Sequence, residues 1–135
     1  MKSRFRLVIA TLSACCLLGG LAAAADPATA TAGPSASWGL IDQNLADLEG
    51  LIKAGKIGSL GKSAYGIANA FQTLAAQSGA LSAEQLAQVQ KDVPVVGSEV
   101  SKLDKAGEHN DPAGVQSHLQ TLKSTLDGVR GFYKR

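Results

Sequence analysis

The stretch LSAEQLAQVQKDVPVVGSEVSKL, residues 81–103, decides the fold. Ser82 and Gln85 stand at the spacing of a capping box. The Ser82 hydroxyl can accept from the backbone N–H of Gln85, while the Gln85 amide reaches back to the backbone of Ser82. Leu81 and Leu86 flank that cap as a hydrophobic staple. Apolar residues then recur at Leu86, Val89, Val93, Val96, Val100 and Leu103, in alternating steps of three and four that line one side of a helix. Pro94 falls inside this run, where proline costs about 3 kcal/mol through a lost hydrogen bond and a clash with the preceding turn. The register nevertheless continues from Val93 to Val96, which predicts one kinked helix and not two.

Three further stretches carry the same kind of seam. Trp38, Ile41, Leu45, Leu48 and Ile52, widened by Leu51, predict a helix over 38–54, with a Ser35 or Ser37 cap and Gly55 as a left-handed stop. Ile57, Leu60, Ala64, Ile67, Phe71, Leu74 and Ser78 predict a second, starting near Gly58 or Ser59 and ended by Gly79 in the same manner as Gly55. Its small residues, Gly61, Ala64, Gly66, Ala68 and Ala70, allow a neighbour to approach closely, and Tyr65 is expected to be partly buried beside the seam. The Gly107-Glu108-His109-Asn110 link closes the third helix, and Asp111 followed by Pro112 is a strong start signal for a fourth, reaching about Lys134. Its seam is Val115, Leu119, Leu122, Leu126, Val129 and Tyr133. Four stripes joined by short links predict an all-α fold, an antiparallel up-down-up-down four-helix bundle over residues 38–135. Heptads this regular also suit a homodimer that shares its seams.

The start of the chain has another character. Lys2, Arg4 and Arg6 precede an uncharged apolar run from Leu7 to Leu21, and Ala23-Ala24-Ala25 offers small residues before Asp26. That layout predicts an export signal over residues 1–25, with residues 26–37 as a flexible Ala-, Thr- and Pro-containing leader. A competing cut exists at Leu12-Ser13-Ala14-Cys15, which resembles a bacterial lipobox and would leave a lipid anchor on Cys15 that holds the bundle at a membrane. An uncleaved span is the third option, since 7–25 approaches the minimum length that crosses a bilayer.

Removal of 1–25 takes away three of the 13 Lys and Arg residues and none of the 11 Asp and Glu, so the remaining chain carries a net charge of −1. Nothing then favours nucleic acid or an acidic surface. Both cysteines leave as well, and with them disulfide and thiol chemistry. Of metal ligands there remain His109, Asp111 and His118, weak candidates because helix capping accounts for Asp111 and the two histidines lack the one-turn spacing of a shared ion. Neither a Cys-x-x-Cys-His nor a Glu-x-x-His pair is present, so no cofactor is expected. The acidic residues Asp42, Asp47, Glu49, Asp92, Glu99, Asp104 and Asp127 fall off the seams and read as solvated faces. Serines fall in caps and flanks, without the strained turn that presents a nucleophile, and the catalytic checklist is empty.

Leu51 to Ile57, Ser78 to Leu86, Leu103 to Gly107 leading to Asp111, and the closing Phe132-Tyr133 resemble the corresponding parts of a group of small exported bacterial four-helix proteins. Members of that group are mostly of unassigned function, and some carry a histidine in the second helix where this chain has Gly61. The layout over 38–135 is also similar to the soluble periplasmic four-helix cytochromes, without their methionine near the start of the first helix or their last-helix histidine, whose place falls near Gly131. The resemblance implies an exported helical fold and no haem. The expected function is that of a non-enzymatic binding or accessory protein of the cell envelope, periplasmic or secreted, taking a protein partner or a small apolar ligand. A periplasmic metal-handling protein is the alternative.

Overall fold

The computed structural model describes residues 33–134. The expected export signal, Cys15 and most of the leader lie outside them. The described residues form four α-helices and no strand: α1 Pro34–Lys53, α2 Gly61–Ala76, α3 Ala83–Glu108 and α4 Pro112–Arg130, with short 3-10 turns at Ile57–Ser59 and Gly131–Tyr133. None of these helices is long and apolar enough to cross a membrane.

The capping box at Ser82 is formed in both directions, with Gln85 N donating to Ser82 Oγ at 3.3 Å and Ser82 N donating to Gln85 Oε1 at 3.2 Å. Replacing Ser82 by alanine should therefore cost about 1 kcal/mol, read as a lower urea midpoint at unchanged slope. Helix α3 passes through Pro94 without interruption. Asp111 caps α4 by accepting from Gly114 N at 3.0 Å, with Pro112 in the first turn. Gly55 stops α1 with φ +71°, as its position predicts.

Several boundaries differ from the periodic reading. Helix α1 starts at Pro34, ahead of its seam, because proline is preorganised for a first turn. Neither Ser35 nor Ser37 caps it; Gly33 stands at the cap without a side-chain bond, and Ser37 is buried, donating to Gln77 Oε1 at 3.1 Å. Helix α2 ends at Ala76, and Gly79 does not take the left-handed conformation that Gly55 adopts. Gly107 belongs to α3 and not to the link, and Tyr65 is exposed.

The seams supply the core. Ile41, Leu48, Ile67, Phe71, Leu74, Val89, Val100, Leu103, Val115 and Leu122 are fully buried. Helix α1 packs on α2, α2 on α3 and α3 on α4. The backbones of α1 and α4 stay apart along nearly all their length.

Candidate functional site

Two ion pairs cross the space between α1 and α4. Lys123 Nζ donates to Glu49 Oε1 at 2.7 Å, and this bond, with the lysine's charge, holds the Glu49 carboxyl below its usual range. One end is closed by Arg130, whose guanidinium donates to both carboxylate oxygens of Asp42. Exposed pairs of the first kind contribute little to stability. Between them they leave two concavities. One, of about 680 Å³, is lined by Glu49, Ile52, Leu119, Gln120, Lys123 and their neighbours. The other, of about 570 Å³, lies where α1 begins and α4 ends, against Pro34, Trp38, Asp42, Arg130, Tyr133 and Lys134.

The second concavity is the more elaborately built. Trp38 is the first seam residue of α1 and Tyr133 closes the fourth seam in the 3-10 turn after α4, and their rings meet edge to face with centroids 5.8 Å apart. The Arg130 guanidinium lies over the Trp38 ring at 4.6 Å, a cation–π geometry. The Tyr133 hydroxyl is hydrogen-bonded to Ser78 Oγ, which donates to the carbonyl of Leu74. Two donors are left over. Trp38 Nε1 and Arg130 Nε are both buried without a partner among the described residues. An unsatisfied buried donor costs roughly 1–3 kcal/mol, so two in one cluster form a local excess of hydrogen-bonding capacity.

A second polar cluster sits between α3 and α4. Glu99 is only 8% exposed, which overturns its expected place on a solvated face. It accepts from Lys102 Nζ at 2.8 Å and pairs with His118 Nδ1 at 2.9 Å. The Lys102 bond, aided by His118 and opposed by burial, holds its carboxyl below the usual range. Periodicity missed this residue because it lies beside Val100 and one turn from Val96 and Leu103, on the margin of the stripe.

The sequence-derived metal candidates go to separate tasks. His109 ends α3 and its Nδ1 meets the Lys105 carbonyl at 2.7 Å; Asp111 caps α4; His118 pairs with Glu99. Among the described residues no three His, Cys, Asp or Glu side chains converge as a metal-ion site. No protein-family model, curated protein or solved structure matches this chain.

Proposed function

We propose that this chain is an exported, non-enzymatic four-helix protein of the bacterial cell envelope that acts by binding, with the α1/α4 side as its binding face. The reading takes residues 1–25 as a signal and the rest as an antiparallel up-down-up-down bundle. Opposed pairings along neighbouring helices support that arrangement: Ser37 with Gln77 and Asn44 beside Gly66 on α1 and α2, Glu99 with His118 on α3 and α4. The observation that carries the binding role is the open α1/α4 side. Three neighbouring helix pairs approach closely along their backbones; on the fourth side the backbones stay further apart, and ion pairs and the Trp38 contacts span it beside the two concavities.

The test has two readouts. Expression of the whole chain in a bacterial host should yield an envelope product whose intact mass lacks residues 1–25; a product that keeps them in the cytoplasm, or acyl chains on Cys15, would replace that part of the reading. Titration of the product with Nile red, a neutral apolar probe, should shift backbone amide resonances of Trp38, Ile52, Leu119 and Arg130. Shifts confined to α2 and α3 would remove the α1/α4 side as the binding face.

A further inference from the structure

Resting on that reading, we propose that the concavity at the start of α1 and the end of α4 binds a small planar carboxylate. Pro34, Trp38 and Tyr133 supply apolar and aromatic wall, and the guanidinium stacked on the indole gives the site a layered form suited to a flat ring. The groups left unsatisfied there, Trp38 Nε1 and Arg130 Nε, are all donors, so the missing partner is an acceptor. Among the charged residues lining the concavity, Arg130 and Lys134 oppose Asp42, an excess of one positive charge that matches a monoanion better than a phosphate dianion.

Asp42 holds the two terminal nitrogens of Arg130, while Arg130 Nε and Trp38 Nε1 are buried without partners among the described residues. An incoming carboxylate therefore competes with Asp42 for the guanidinium and draws it away from the indole, opening Trp38 Nε1 to an acceptor. Asp42 then acts as an internal stand-in for the ligand. This sets the site apart from a simple clamp between α1 and α4. In a clamp, removing the Asp42 charge only weakens the junction. Here it also frees the guanidinium and tightens ligand binding.

The experiment uses benzoate as the probe, with neutral benzamide and aromatic-free acetate as controls, on protein purified after expression of the whole chain. Calorimetry gives affinity, and Trp38 is the chain's one tryptophan, so its fluorescence reports the site directly. Benzoate should bind with a Kd on the order of 100 µM and quench Trp38, with benzamide and acetate each weaker by about tenfold or more. Asp42→Asn should tighten benzoate several-fold. Trp38→Phe, which keeps a ring but removes the N–H, should weaken it about tenfold. Circular dichroism checks that each variant is folded, and should Asp42→Asn fail that check, Trp38→Phe alone decides. Benzamide binding as tightly as benzoate, or benzoate indifferent to Trp38→Phe, overturns the carboxylate. Either result leaves the α1/α4 binding face standing if Nile red still maps there; Nile red shifts elsewhere would end both.

Discussion

Gly107→Ala is expected to destabilise the domain by about 3 kcal/mol, although a glycine-to-alanine change inside a helix ordinarily stabilises it by about 1 kcal/mol. Gly107 is buried in the last turn of α3, against the 3-10 turn Ile57–Ser59. A Cβ there would run into the backbone carbonyl oxygen of Ile57, with Leu60 Cδ1 at 3.5 Å behind it. The obstructing atom is backbone, so no rotamer change relieves it, and α3 must separate from the Ile57 turn. For a domain near 100 residues such a loss lowers Tm by roughly 12–24 °C. Gly128→Ala is the control. It is helical and exposed, and a Cβ there meets nothing within 4 Å, so the same exchange should raise stability by up to about 1 kcal/mol. A Gly107→Ala protein as stable as the parent would show that the turn can move away without cost.

Removing both partners of Glu99 should be nearly as damaging. In Lys102→Met with His118→Leu, a carboxylate that is 8% exposed keeps neither partner, and the expected loss at pH 7 is about 3 kcal/mol. The larger penalties known for fully enclosed pairs are discounted because Lys102 itself is half exposed to water. Replacing Glu99 by leucine instead removes charge and partner requirement together, and should leave stability at pH 7 within about 1 kcal/mol of the parent. The acid limb separates the two variants. Because the folded-state carboxyl is held below the ordinary carboxylate range, Glu99 contributes stability above that range and loses it as pH falls through the depressed value. Glu99→Leu should therefore flatten the decline in denaturation midpoint below about pH 5. In the variant lacking both partners, burial alone acts on the carboxyl, its pKa rises, and acid becomes relatively stabilising in that range. An unchanged acid limb in Glu99→Leu would assign the pH dependence to other carboxylates.

Much of the fold is legible because helical periodicity reports burial directly. Every position of the second seam, from Ile57 in the turn before α2 to Ser78 just after it, is buried, and α4 behaves likewise from Val115 to Val129. Caps at Ser82 and Asp111 are read from residue type alone, since each satisfies N–H groups only a few positions away. What escapes is whatever depends on a neighbour from elsewhere in the chain. Gly79 looks like Gly55, yet only Gly55 is left-handed, because α2 has already ended at Ala76. Gly107 looks like a helix stop and is in fact a contact glycine for a turn fifty residues earlier. The same holds for the binding face. Trp38 and Tyr133 are recognisable as seam residues, but their meeting across 95 positions of chain, with Arg130 and Asp42 closing over them, has no local signal. Glu99 and His118 are likewise ordinary helix-flank residues until α3 and α4 lie side by side.

The adjacency of Trp38 and Tyr133 also sets how the domain responds to mechanical load. A pull applied between Gly33 and Lys134 does not shear helices along their length. It pulls the first and last helices apart from one end, so the aromatic and guanidinium cluster at that end of the core meets the load first. Attachment through both ends would thus make that cluster the fuse of the domain, whereas attachment through one end leaves it at rest.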